Sequence, residues 1–219
     1  ILTVALAATF MAVASLAAIA STTEELWIPS GSQKVFGVLS KPENPKGERQ
    51  PIAIICHGFN GTHEFGKNYF ETFNRLGYQC FTLDFPGSEN SRTDNNTLNM
   101  SIIDEQQTLE AVVRYFQQQS DIDPERIVLL GESQGGLIVA LTAANLTNNI
   151  HRLILVFPAL CIPDNWNERY SQIADIPEET SLWHVKLSRR FFTEIRYLRP
   201  YDIIGQFEKP VQIIQGDAD

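Results

Sequence analysis

Ile127-Val128-Leu129-Leu130-Gly131-Glu132-Ser133-Gln134-Gly135-Gly136 carries three signals in one short stretch. The apolar run at its start has the length and bounds of a buried strand. Leu137 to Leu146, which follows it, has the length and apolar content of a helix. Between them lies Gly-x-Ser-x-Gly. A chain that turns abruptly from strand to helix strains its central residue and crowds the neighbours against it. Gly131 and Gly135 remove the side chains that would collide there. The Ser133 hydroxyl is then projected at the carboxyl edge of a sheet, above a helix N-terminus whose dipole and free N–H groups favour a developing negative charge. Ser133 is therefore the candidate nucleophile. The plainer alternative is a glycine-rich turn that merely opens a helix, and the strand and helix on either side weigh against it.

Outward from this point the same alternation recurs. Leu26 to Pro29 and Val35 to Ser40 read as short strands about the turn Ser30-Gly31-Ser32, and Lys41 to Gln50 as a surface loop rich in Pro, Lys, Glu and Gly. Ile52 to Cys56 is a continuous apolar run, suited to a parallel strand covered on both faces. Tyr69 to Leu76 reads as a helix stopped by Gly77, and Tyr78 to Leu83 as the next strand. Ile102 to Gln119 has helical periodicity, and Asp121-Ile122-Asp123-Pro124 breaks the chain before the strand at Ile127. Leu153 to Phe157 and Val211 to Gln215 are further strands. Strands alternating with helices predict an α/β fold, a mostly parallel sheet wound by right-handed crossovers. Pro158 to about Ile204 interrupts that rhythm with aromatic and charged sequence, helical stretches and no clear strand. It reads as a cap inserted over the sheet edge, and long insertions of this kind are often functional lids.

A serine that attacks an acyl carbon needs donors for the oxyanion. Ile55-Cys56-His57-Gly58-Phe59-Asn60-Gly61 follows an upstream strand and supplies such a loop. The expected donors are the backbone N–H of Phe59 and that of Gln134, the residue after the nucleophile. Losing one such donor typically costs about 3–4 kcal/mol of barrier. His57, at the strand end, reads as structural and not as the base.

His57-Gly58-Phe59, Gly131-Glu132-Ser133-Gln134-Gly135-Gly136 and Gln206-Phe207-Glu208-Lys209-Pro210-Val211-Gln212-Ile213-Ile214-Gln215-Gly216-Asp217-Ala218-Asp219 resemble the bacterial cinnamoyl (feruloyl) esterases of the α/β-hydrolase superfamily. The resemblance runs from about Val35 to the last residue. It implies an α/β-hydrolase fold with a cap insertion, and a serine carboxylic ester hydrolase that works through an acyl-enzyme on Ser133 without a cofactor. The implied substrates are small-molecule esters, hydroxycinnamoyl esters among them. In that family the triad acid follows a strand in a Gly-x-x-Asp pattern, which places the role on Asp219 with Asp217 as the fallback. The order in this fold is Ser, acid, His. His57, His63, His151 and His184 all lie upstream, so the base is expected beyond residue 219 and the fold is expected to be truncated at its C-terminus.

The resemblance also makes Asp164 the candidate cap contact to a phenolic hydroxyl, although a solvated loop acid is an equal reading. Phe191-Phe192 stands where the family often has a phenol-binding tyrosine, and Glu132 where a histidine is common. Trp166, Tyr170 and Trp183 either line an aromatic pocket or pack the cap. A general short-acyl esterase or lipase-like enzyme is the nearest alternative. A serine peptidase of the prolyl oligopeptidase type shares the elbow, but usually carries a propeller domain for which the stretch between leader and sheet leaves no room. A non-catalytic binding protein on this fold is the rival from another class.

Composition bounds the partners. The 219 residues suit one domain, expected over 21–219, with 43% hydrophobic and 20% charged residues. Net charge is −9, from 17 basic against 26 acidic residues, and no basic cluster stands out, so nucleic acid is not an expected partner. Ile1 to Ala20 is uncharged and ends in Ala18-Ile19-Ala20 before a polar run. That pattern reads as a cleaved signal peptide, with a membrane anchor as the alternative, and predicts a secreted or periplasmic protein. Cys56 and Cys80 lie in apolar runs and read as small buried hydrophobes. No Cys/His spacing matches a zinc site, and no metal is expected.

Overall fold

The computed structural model describes residues 21–45 and 47–217. The leader at 1–20 lies outside the described residues. The chain opens with the antiparallel pair β1 (Ser21–Ser30) and β2 (Gln33–Pro42), followed by β3 (Gln50–Cys56), short helices α1 (Glu64–Lys67) and α2 (Phe70–Arg75), and β4 (Gln79–Leu83). Then come α3 (Ile102–Gln117), β5 (Ile122–Glu132), α4 (Gln134–Asn145) and β6 (Arg152–Val156). An insert follows, with α5 (Ile162–Arg169), the hairpin β7 (Glu179–Leu182) and β8 (Val185–Ser188), α6 (Arg189–Glu194) and α7 (Pro200–Ile203), before β9 (Val211–Ile214).

Among the described residues, seven strands form one sheet in the order β1-β2-β4-β3-β5-β6-β9. β1, β2 and β4 pair antiparallel in turn, while β4, β3, β5, β6 and β9 run parallel. This is the mostly parallel sheet that the strand–helix alternation predicts. The continuous apolar run of β3 follows from its position, since it is covered on both faces. Ile52, Ile54 and Cys56 join a cluster with α3 and α4, whereas Ala53 and Ile55 join one with Phe70 and Phe73 of α2. Cys56 and Cys80 are free and buried within these clusters.

Local signals set the helix ends. The Ser101 hydroxyl accepts from the Asp104 N–H at 3.2 Å and starts α3. Gly77 follows α2 at φ +83° in open surroundings, so its glycine serves the conformation and not a close contact.

Two expectations change. The break at Asp121 to Pro124 does not end a strand: β5 starts at Ile122, and its pairing with β3 jumps from Gln50↔Ile122 to Ile52↔Ile127. The irregularity lets Pro124 sit inside a strand without taking an N–H from the ladder. The insert, expected without strands, contains the β7–β8 hairpin. Among the described residues, no helix is long and apolar enough to cross a membrane.

Candidate active site

β5 ends at Glu132 and α4 begins at Gln134, leaving Ser133 between them at φ 51°, ψ −117°. Such a conformation costs a non-glycine residue about 1–3 kcal/mol and persists only when the surroundings over-determine it. Here they do. The Ser133 N–H donates to the Val156 carbonyl at 3.0 Å, and its own carbonyl accepts from the Ala159 N–H at 2.9 Å and the Leu137 N–H at 3.3 Å. A Cβ on Gly131 would lie 2.2 Å from the Gly135 carbonyl oxygen, and one on Gly135 would lie 2.4 Å from that of His57. Both collisions are with backbone, which has no rotamer through which to yield. The two glycines are therefore required by the close packing of strand, helix and the loop after β3.

That loop brings Phe59 beside the serine. Phe59, Ser133 and Gln134 together line a cavity of about 480 Å³. Among the described residues, no carbonyl or side chain accepts from the N–H of Phe59 or of Gln134. Helix geometry leaves the first N–H groups of α4 without intrahelical acceptors. The loop is held by the turn from the Gly61 N–H to the Gly58 carbonyl, and by Asn60, whose side chain pairs with Glu89 through two hydrogen bonds.

The side chains of His57 and His63 are held by partners other than Ser133. His57 is buried; its Nδ1 lies 2.8 Å from the Gly58 carbonyl, and its Nε2 accepts from the Phe85 N–H at 3.1 Å. Burial holds its pKa below the usual imidazole range. It is a neutral brace, in agreement with its structural reading. His63 places Nδ1 2.8 Å from the buried Asp84 carboxylate and Nε2 3.0 Å from Glu64. A second cavity, about 290 Å³, adjoins Ser133 and is lined by His57, Glu132, Phe65 and Phe157 among others. His63, His151 and His184 line neither cavity. Burial raises the pKa of the Glu132 carboxyl.

The insert walls the larger cavity. Ile162, Asn165, Trp166, Glu168 and Arg169 of α5 face it, with Cys161 at the helix start, Leu182 and Trp183 from the hairpin and Phe191 from α6. Asp164 is exposed and does not line it. At 100° per residue, positions 161, 162, 165, 166, 168 and 169 cover one continuous arc, and 164 falls just past its edge. Trp166 and Trp183 are wall residues, whereas Tyr170 stacks on Trp166 with ring centres 6.0 Å apart and stays outside the wall. Phe192 packs edge-on to Trp166 at 4.6 Å and Phe191 beside it at 5.3 Å, so one phenylalanine supports the wall that the other forms.

Register fixes where the strand before the expected acid ends. Glu132 pairs with Val156 and Val156 with Ile214, so β5, β6 and β9 end side by side at the edge where Ser133 projects. Asp217 is exposed just past that edge. Asp219 lies outside the described residues. Cys161, Asn165 and Arg169 were not singled out from sequence; the helical spacing of 161, 165, 166 and 169 is the signal that would have found them.

The comparisons with known proteins agree with this architecture. A model of the alpha/beta hydrolase fold matches residues 51–177, more than half of the chain. The structure of Est1E from Butyrivibrio proteoclasticus with ferulic acid bound is similar at a TM-score of 0.80 and 28% identity, covering 89% of this chain and 79% of that one. DcsB in complex with its substrate analogue shares the fold at a TM-score of 0.70 and 15% identity, over 90% of this chain and 80% of that one. The quorum-quenching protein AidA of Acinetobacter baumannii is 32% identical over 43% of this chain and 31% of its own length. The chain spans about a third of the length of the curated relatives it matches. With the strand–Ser133–helix elbow, the parallel sheet and the family match over its central half, the chain belongs to the alpha/beta hydrolase fold family.

Proposed function

We propose that this chain carries the core of a serine-dependent carboxylic ester hydrolase acting on esters of hydroxycinnamic or similar aryl acids. The observation that carries the reading is Ser133, held at φ 51° in the wall of an aromatic-lined cavity that it shares with Phe59 and Gln134, whose N–H groups have no acceptor among the described residues. Tryptophan and phenylalanine walls suit a planar acyl group, and the similar Est1E holds ferulic acid.

In this mechanism Ser133 Oγ bonds to the acyl carbon while a histidine takes its proton. The Phe59 and Gln134 N–H groups hold the oxyanion. The alcohol leaves with the proton returned by the histidine, and water cleaves the acyl-enzyme. Asp219, with Asp217 as the fallback, orients the imidazole. The polar groups available to the acyl group's far end are Asn165, Glu168 and Arg169, in preference to Asp164. We read the leader as an export signal, with a membrane anchor as the alternative; either reading puts the enzyme body outside the cytoplasm, and cell fractionation tests it.

The test is hydrolysis of methyl ferulate and of p-nitrophenyl butyrate by the full-length protein and its Ser133→Ala variant. Ferulate turnover that falls by about 10⁴-fold or more in the variant is the expected result. Butyrate turnover alone would keep the serine esterase and replace the aryl substrate by a short acyl chain. Turnover of both esters that survives in the variant would overturn the assignment of Ser133.

A further inference from the structure

Glu105, in the first turn of α3, is 1% exposed, and Gln134, the first residue of α4, is 3% exposed. The Gln134 side-chain Nε2 donates to both carboxyl oxygens of Glu105, at 3.0 and 2.9 Å. No cation pairs with Glu105 among the described residues. The groups that face it are the Cys56 thiol from β3, Asp104 on its own helix and the neutral Gln134 amide from α4. From α6, Arg190 and Glu194 reach the same turn but are engaged with Asp104, with each other and with Ser101. A carboxyl buried without a cation is expensive, and packing alone would be served as well by an apolar side chain.

We propose that Glu105 is a positioning residue for the oxyanion hole: gripping the Gln134 side chain from the interior, it fixes the peptide whose N–H faces the reacting oxygen. The role rests on the serine-hydrolase reading above. Gln134 belongs to the elbow on one side and to α4 on the other, so its backbone direction depends on where its side chain is anchored. With the amide locked, the N–H stays aimed into the cavity and needs no reorganisation as the oxyanion forms. Burial pushes the Glu105 carboxyl up to about 8, so it is neutral at neutral pH. Above about 8 it ionises and sets a negative charge behind the site where the oxyanion develops. Activity therefore falls as pH rises through that value.

The test measures kcat and KM for p-nitrophenyl butyrate on the full-length protein, its Glu105→Gln and its Glu105→Leu variants, across the pH range around 8. Glu105→Leu is expected to lose about 10- to 100-fold in kcat with KM little changed, less than deletion of a donor would cost. Glu105→Gln, which still accepts from Gln134 and never ionises, retains most of the kcat and lacks the alkaline decline. A folded Glu105→Leu variant with wild-type kcat, or a Glu105→Gln variant that declines as the wild type does, would overturn the proposal. If Glu105→Leu does not fold, the pH profile of Glu105→Gln decides. A wild-type protein that cleaves no ester removes the serine-hydrolase reading and this role with it, whereas an active wild type with indifferent variants removes only the role of Glu105.

Discussion

Ser133 at positive φ and Glu105 sealed inside the protein are both placements that folding alone would disfavour. Each sits within one residue, or one hydrogen bond, of Gln134, the proposed oxyanion donor. Glu105 also has a thermodynamic signature independent of activity. Its carboxyl titrates near 4.5 in an unfolded chain and at about 8 in the folded one, so the folded state holds this proton more tightly. Stability from this group is full below the unfolded value and is lost as pH rises towards about 8. Glu105→Gln removes that loss. Its urea midpoint relative to wild type is therefore expected to rise as pH increases over this window, and a constant difference would refute the titration. Ser133 and the glycines around it were legible from sequence because the elbow's constraint is local. Glu105 was not, because an acid in a helical first turn looks like an ordinary dipole partner.

Among the elements, the β7–β8 hairpin departs furthest from its local preferences. Its two-residue turn is Trp183-His184, at φ 47° and 75°, where asparagine and glycine are favoured. The missing turn residues are why this hairpin escaped notice in sequence. Trp183 nevertheless packs edge-on to Phe59 at 5.7 Å and walls both cavities beside Ser133. Replacing the pair by Asn-Gly is expected to stabilise the protein by about 1 kcal/mol and to raise KM for aryl esters. Thermal melting and steady-state kinetics check the two halves; a lowered Tm would show that the aromatic contact outweighs the backbone strain. Helix α5 teaches a complementary lesson. Its cavity-facing residues follow helical spacing, yet only the position of the sheet edge decides that Asn165 faces inward and Asp164 outward.

For the molecule as a whole, stability resides in the two apolar clusters on either face of the sheet. Ile54 and Ile55 are adjacent, fully buried, and belong to different clusters. Ile54→Ala and Ile55→Ala are each expected to cost about 2–5 kcal/mol in urea unfolding, whereas Leu76→Ala, at 66% exposure, should stay within about 0.5 kcal/mol. Comparable costs at all three positions would deny the two-layer core. The sequence by itself determined the α/β class, the parallel sheet, the Ser133 elbow and the loop at Phe59, because strand period, helix period and glycine sterics act between neighbours in the chain. Only the tertiary structure decided that Glu105 grips Gln134, 29 residues away, that Asp164 turns outward and that a hairpin walls the cavity. Those outcomes depend on which surfaces meet once the sheet closes, and a local pattern carries the period of an element but not the identity of its partner.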